Sequence, residues 1–337
     1  MRLAEFDFDL PADRIAQFPA RPRDAARLLH VAADGLHDRV VRDLPALLRP
    51  GDLLVVNDTK VIPAQLEGMR GGARIGVTLD RPLPDGTWHV LLRNARRVAP
   101  GDAIAFPAGV TATLRAKEPG GAGVLAFDGD PTAAGVLALP PYIARPEGPT
   151  ASDESDYQTM FAERPGAVAA PTASLHFTPA LAEALDARGV GRATVTLHVG
   201  AGTFLPVRTE TVTDHRLHAE RGEVGEAAAQ AIAAARDAGG RIVAVGTTAL
   251  RLLETAADET GSVQPWSGET DLFLLPGHRF RTADLLMTNF HLPRSTLFML
   301  VCAFAGPARM KAAYGHAIAS GYRFYSYGDS SLLERAQ

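Results

Sequence analysis

Apolar residues recur along this chain with two different periods, and the change of period divides it. Between about residues 66 and 140 they come in short runs: Ile75 to Leu79, a Pro84-Asp85-Gly86 turn, then Trp88 to Leu92. Ala103 to Phe106, Val110 to Ala116 and Val124 to Phe127 follow, separated by Pro-Gly turns. Short runs broken by turn residues predict strands, and so many in succession predict an all-β module, a small barrel or sandwich. Leu139-Pro140-Pro141-Tyr142-Ile143 comes next, and Ala144 to Asp156, rich in Pro, Ser and acid, reads as a linker.

The remainder alternates strand and helix. Thr178-Pro179 opens a helix carrying Leu181 and Leu185 that stops at Gly189, and Ala193 to Val199 reads as a strand. Gly225 to Ala238 is alanine-rich and helical until Gly239-Gly240 ends it. Arg241 to Val245 is then a buried strand, followed by a Gly246-Thr247-Thr248 turn and a helix with Leu250 and Leu253. This is the rhythm of an α/β layered domain. Because Gly51 to Val56 also looks like one of its strands, the expected architecture is a discontinuous α/β layered domain, residues 1–65 and 141–337. An all-β, barrel-like domain is inserted into it at 66–140.

At 337 residues the chain exceeds one ordinary core, and 46% hydrophobic with 21% charged residues is a soluble balance. Its one cysteine, Cys302, excludes an internal disulfide and sits in an apolar run as a packed thiol. No signal peptide or stretch of membrane-spanning length is present, so a cytoplasmic protein with no membrane partner, acting as a monomer, is expected. A net charge of −4 gives no overall attraction to nucleic acid and leaves room only for a local basic face. The densest candidate is Arg93-Asn94-Ala95-Arg96-Arg97, which reads equally well as a solvated loop.

Six of the ten histidines, His176, His198, His215, His218, His278 and His291, fall in one stretch beside small or hydroxylated residues. Imidazole titrates near neutrality, so the cluster points to proton transfer. In Asp214-His215-Arg216-Leu217-His218-Ala219-Glu220 a strand would put His218 and Glu220 on one face, and a helix would do so for His215 and His218. Zinc competes as a reading, but neither a cysteine pair nor His-Glu-x-x-His is present, and no metal is expected. Other polar strings sit where strands end, as ligand sites of open α/β sheets do. Asn57, Asp58 and Thr59 follow one strand; Gly200, Gly202 and Thr203, and Thr247 and Thr248, belong to glycine turns that bring backbone N–H groups near a ligand. Neither turn is a Walker loop or a dinucleotide fingerprint.

Seven strings follow one another in order along most of the chain: Asn-Asp-Thr-Lys-Val-Ile-Pro-Ala (57–64), Leu-Pro-Pro-Tyr-Ile (139–143), Glu-Arg-Pro-Gly-Ala-Val-Ala-Ala-Pro-Thr-Ala-Ser-Leu-His-Phe (163–177), Thr-Leu-His-Val-Gly-Ala-Gly-Thr-Phe-Leu-Pro-Val (196–207), Gly-Thr-Thr-Ala-Leu-Arg (246–251), Thr-Asn-Phe-His-Leu-Pro (288–293) and Tyr-Arg-Phe-Tyr-Ser-Tyr-Gly-Asp (322–329). Together they resemble the S-adenosylmethionine:tRNA ribosyltransferase-isomerase family of queuosine biosynthesis. Ser174 stands where that family usually has glycine.

The resemblance implies an α/β domain with an inserted β-barrel. It also implies a tRNA-modifying transferase that takes the ribosyl carbons of S-adenosylmethionine as a substrate, with no bound cofactor. The acceptor would be 7-aminomethyl-7-deazaguanine at the tRNA wobble position, and the products epoxyqueuosine, adenine and methionine. Removing a proton beside a sulfonium and protonating departing adenine needs two proton-transfer groups. His215 and His218, with Glu220 orienting one, are the candidates, and His198 is the reserve. Asp58 or Tyr142 would face the cation. Further substrate contacts are expected from Thr172, His176, Arg251, Asn289 and His291, and tRNA contacts from Arg93, Arg96 and Arg97. An ordinary methyltransferase is the first rival, but its glycine-rich loop near the N-terminus is missing; a noncatalytic RNA-binding module is the second.

Overall fold

A computed structural model of the chain describes residues 1–204, 207 and 209–336; Leu205 and Pro206 of the 196–207 string lie outside the described residues. The chain opens with a hairpin, β1 (Arg27–Ala32) and β2 (Gly35–Val40), and passes through a short helix α1 (Leu44–Leu47) into β3 (Leu53–Asn57) and β4 (Thr59–Val61). Six strands follow: β5 (Gln65–Arg70), β6 (Ala73–Pro82), β7 (Trp88–Arg93), β8 (Ala103–Ala105), β9 (Thr111–Lys117) and β10 (Ala122–Asp128). They close on themselves as a barrel in the order β10-β7-β6-β5-β8-β9. The chain returns through α2 (Ala151–Asp156) and β11 (Arg164–Ala167), which pairs in parallel with β4.

What remains completes a nine-stranded sheet. In sequence it supplies α3 (Pro179–Ala187), β12 (Gly191–Leu197), β13 (Glu220–Val224), α4 (Glu226–Asp237), β14 (Ile242–Val245) and α5 (Thr247–Ala256). Then come β15 (Trp266–Thr270), β16 (Leu285–Asn289), α6 (Thr296–Ala305), α7 (Pro307–Ala319) and β17 (Ser330–Glu334). The strand order is β15-β13-β12-β3-β14-β16-β17-β1-β2. Its middle, β12-β3-β14-β16, is parallel, and antiparallel pairs flank it. Every residue of β3, β14 and β16 is buried, as parallel strands covered on both faces must be. Leu54, Val56, Val243 and Val245 pack with Leu181 and Leu185 of α3 on one side, while Val55 and Ala244 pack with Ile232, Leu250 and Phe298 of α4, α5 and α6 on the other.

Local signals set the helix starts. Thr178 Oγ1 accepts from Leu181 N at 3.1 Å with Pro179 in the first helical position, and Ser295 Oγ accepts from Phe298 N at 3.2 Å. Gly246 holds a φ of 94°, which turns β14 into α5 within one residue. The stretch 144–156 is not the free linker its composition suggests. Arg145 grips Asp153 through Nε and NH2, each at 2.9 Å, and Arg21 reaches Asp156 at 2.7 Å, so acids that would keep a linker solvated are paired and buried.

Two chain passages lie side by side at the barrel's base. Gln65 and Val136 exchange backbone hydrogen bonds of 2.9 and 2.8 Å, and a Cβ built on the adjacent Gly135 would stand 2.1 Å from the Pro63 carbonyl oxygen. Gly135→Ala should therefore destabilise the protein by about 1–3 kcal/mol, because backbone has to move. Gly72→Ala, where nothing lies within 4 Å, should stay within about 0.5 kcal/mol. Urea denaturation checks the pair, and equal midpoints would contradict the close approach.

Candidate active site

The carboxyl ends of the parallel strands converge on a cavity of about 570 Å³. After β14 come Gly246, Thr247 and Thr248; after β16, Phe290 and His291; after β12, Val199 and, further on, Thr203, all lining it. Tyr142 lies on the opposite wall against Tyr325, ring centroids 4.0 Å apart and tilted by 35°. Its hydroxyl hydrogen-bonds Ser326 Oγ at 2.7 Å, and burial pushes its pKa up to about 12, so it stays neutral. Two non-glycine residues of this wall, Arg294 (φ 57°) and Tyr325 (φ 74°), sit in left-handed conformations, and such stored strain clusters where ligands are handled.

A second cavity of about 320 Å³ abuts the first and shares Thr203, Glu220, Arg251, Thr296 and Leu297 with it. Gly200, Gly202, His215 and His218 line it, together with Asp80 and Gly120 of the barrel. Neither regular geometry considered for 214–220 occurs. A single turn Val212–Asp214 gives way to extended chain that enters β13 at Glu220. His215 and His218 still face one space. Burial, then the charge of His218, lowers the His215 pKa, so its ring is neutral and free to accept a proton near pH 7. Gly202 admits His218, since a Cβ there would lie 2.7 Å from the ring.

Glu220 does not orient either ring. One carboxylate oxygen accepts from Arg251 NH1 and the other from Gly200 N at 3.3 Å. Arg251 in turn donates Nε to the Leu272 carbonyl at 3.0 Å. The pair thus stands in the wall common to both cavities.

Other candidates lie elsewhere. Asn57 is fully buried, its Oδ1 accepting from Leu197 N and its Nδ2 donating to Leu197 O, at 3.0 and 2.9 Å. Asp58 accepts from Thr196 Oγ1 at 2.6 Å, and Thr59 Oγ1 meets His198 Nδ1 at 2.8 Å. Neither cavity is lined by these three residues or by His198. Thr172 and Asn289 line the larger one; His176 is buried behind it, and burial takes His176 down to about 4 and His291 to about 3. Among the described residues no group of three or more His, Cys, Asp or Glu is arranged to hold a metal. Arg96 and Arg97 form an exposed turn after β7 with no ion-pair partner among the described residues, whereas Arg93 is paired with Glu67.

The sequence reading missed Asp80 and His89. A register shift between Leu79 and Arg81 re-aims Asp80 out of the alternation that would have marked it. Asp80 accepts from Ala201 N at 2.8 Å and pairs with His89 Nδ1 at 2.9 Å, while His89 Nε2 meets Glu118 at 3.1 Å. Both ring nitrogens face carboxylates, and only imidazolium donates to two. The bond to Asp80 raises the His89 pKa against burial. Burial would push Asp80 up, but His89 and the Ala201 N–H outweigh it and hold it down.

Comparison with known proteins shows the family of the chain. A family model described as "Queuosine biosynthesis protein" matches residues 3–333. The chain is 65% identical over 342 residues to an S-adenosylmethionine:tRNA ribosyltransferase-isomerase of Gluconacetobacter diazotrophicus, covering 99% of this chain and 96% of that protein. It is 65% identical to one of Acidiphilium cryptum, covering 100% of both. The crystal structure of S-adenosylmethionine tRNA ribosyltransferase from Thermotoga maritima aligns with a TM-score of 0.56 at 36% identity, covering 97% of this chain and 99% of the other.

The barrel-to-sheet clasp titrates at both ends. A raised histidine pKa contributes stability that is complete below about 6.5 and is lost as pH rises through the folded value. A depressed carboxyl contributes stability present above about 3.9 and lost as pH falls through its folded value. His89→Gln should accordingly flatten the decline in unfolding free energy on the alkaline side of about pH 6.5. An unchanged slope in denaturation measured at several pH values would assign the charge elsewhere.

Proposed function

The chain belongs to the queuosine biosynthesis protein family, and from that membership we propose that it transfers and isomerises the ribosyl moiety of S-adenosylmethionine onto 7-aminomethyl-7-deazaguanine at the wobble position of tRNA. It is a transferase. Epoxyqueuosine in tRNA, adenine and methionine are the products of this reading, and S-adenosylmethionine is a consumed substrate, with no resident cofactor. The observation that carries the reading is the pair of abutting cavities at the carboxyl edge of the sheet, one walled by aromatic rings and helix N–H groups, the other by two histidines.

The chemistry fits those walls. Sulfonium charge acidifies the ribose 5′ carbon, and this reading gives the role of taking that proton to His215, a neutral ring lining the smaller cavity. Adenine leaves with a proton from the partner acid, His218. The acceptor's amine nitrogen, losing a proton, bonds to the ribose carbon that adenine leaves. The deprotonated 5′ carbon closes onto that same carbon as its bond to the ring oxygen breaks, and this oxygen displaces sulfur from the 5′ carbon, closing the epoxide and releasing uncharged methionine sulfur. The stacked Tyr142 and Tyr325 present ring faces to the cation before that step, a role Asp58 is too far inside its own hydrogen bond to share. We assign catalysis to residues 1–65 with 141–337 and tRNA docking to the barrel, 66–140, whose Arg96 and Arg97, without an ion-pair partner among the described residues, suit phosphate.

Incubation with S-adenosylmethionine and tRNA bearing the aminomethyl base should yield stoichiometric adenine and methionine by mass spectrometry. S-adenosylhomocysteine in their place would make the chain a methyltransferase. His215→Ala and His218→Ala should each lower turnover by about 10²–10⁴-fold without lowering thermal stability. Near-native turnover in both would remove them from the mechanism. Replacing Arg96 and Arg97 with alanine should weaken tRNA binding and reduce the log–log salt slope by up to about one unit per lost contact, leaving S-adenosylmethionine affinity alone. An unaltered slope would move the docking surface off this turn.

A further inference from the structure

One group in the wall between the cavities is built for a ligand the protein itself does not supply. Arg251 is only 8% exposed, and two of its three nitrogens have partners, Nε the Leu272 carbonyl and NH1 Glu220. Its NH2 is buried and has no partner among the described residues. A buried guanidinium nitrogen left unsatisfied is destabilising unless something accepts from it. Both neighbours fix the fork in place, so the empty nitrogen cannot swing to solvent.

The same helix adds a second positive element. Thr247 and Thr248 lie four and three residues before Arg251, on the face that α5 turns to the larger cavity. The residue preceding them is Gly246, which has no side chain to cap the first turn, and no other hydrogen bond to the N–H groups of Thr247 or Thr248 is found among the described residues. Free N–H groups at a helix start attract an anion, and a guanidinium one turn away strengthens the attraction. Beside them, Glu220 lines both cavities and carries the opposite charge.

Resting on the proposed reaction, we propose that Arg251 NH2 and the first turn of α5 bind the α-carboxylate of the methionyl end of S-adenosylmethionine, with Glu220 facing its ammonium. A zwitterion is thereby held by groups of both signs that are already fixed before it arrives. Arg251 acts here as a specificity-determining residue remote from the ribose carbons, which anchors one end of the donor while chemistry proceeds at the other.

The test compares two ligands that differ only in that carboxylate, by calorimetry on the full chain. Wild-type protein should bind decarboxylated S-adenosylmethionine about 100-fold more weakly than S-adenosylmethionine, the loss expected for charge-assisted hydrogen bonds. Arg251→Lys keeps the charge but not the fork; it should weaken S-adenosylmethionine binding and shrink the preference to less than about tenfold. Equal affinity of the wild-type protein for both ligands would overturn the carboxylate anchor while leaving the proposed reaction standing. Failure to bind S-adenosylmethionine whether tRNA is absent or present would overturn both. Should Arg251→Lys fail to fold by circular dichroism, the wild-type comparison alone decides.

Discussion

Past the register pair of Val195 and Asn57, strands β3 and β12 no longer face each other, and the Asn57 side chain takes over the pairing. Its amide satisfies both backbone groups of Leu197 that would otherwise be buried without partners, at about 1–3 kcal/mol each. Because this one side chain substitutes for a ladder, β3 is free to turn away into β4 and the barrel while β12 runs on to Val199 and Gly200. The same amide reaches Thr248 Oγ1 at 3.4 Å, so the start of α5 is tied to the point of divergence. The site occupies the space that this parting opens. Asn57 shapes the cavity without lining it, which is why a polar residue at a strand end is a poor guide to whether it touches ligand or builds the wall.

Buried charge is concentrated in the same place. Arg251 with Glu220, and Asp80 with His89, are taken out of water, and a buried pair returns little net stability once desolvation is counted. Their effect is positional. Glu220 and Asp80 accept from the successive N–H groups of Gly200 and Ala201, one carboxylate from the sheet and one from the barrel. The glycine turn is clamped from both sides, and Gly202, next in line, is the residue against which His218 packs. Barrel, sheet and histidine are coupled through three consecutive residues.

Elements governed by local pattern were legible in the sequence. The capped helix at Thr178, the buried strand before Gly246, the alanine-rich helix ended by Gly239 and the short strands between 65 and 128 all formed where period and punctuation put them. Contacts across long separations were not legible. Arg21 and Asp156 are 135 residues apart, and composition alone made their segment a linker. Residues 215–219 lie between the turn Val212–Asp214 and β13 and belong to neither helix nor strand, so neither geometry applied, and Glu220 met Arg251 rather than a histidine. Asp80 was hidden by a register shift that alternation cannot foresee. Residues of the glycine turns and of Thr288–Leu292 fell on the cavity because they follow parallel strands, a rule of topology that holds whatever the side chains are.

Placement of the barrel gives the two cavities different surroundings. Only the smaller is lined by barrel residues, Asp80 and Gly120; the larger is lined by the sheet's carboxyl edge, α5, α6 and the Tyr142–Tyr325 pair. On the proposed reading the cavity at the sheet's carboxyl edge takes the sulfonium, and the one that the barrel lines takes the nucleotide, since the barrel is the proposed tRNA-docking side. Thr203, Thr296 and Leu297, which line both cavities, then mark where they meet, and His215 and His218 stand on the acceptor's side. A barrel inserted between β4 and β11, its two connections bonded to each other at Gln65 and Val136, keeps that outer surface in fixed register with the sheet edge, which proton transfer over hydrogen-bond distances requires.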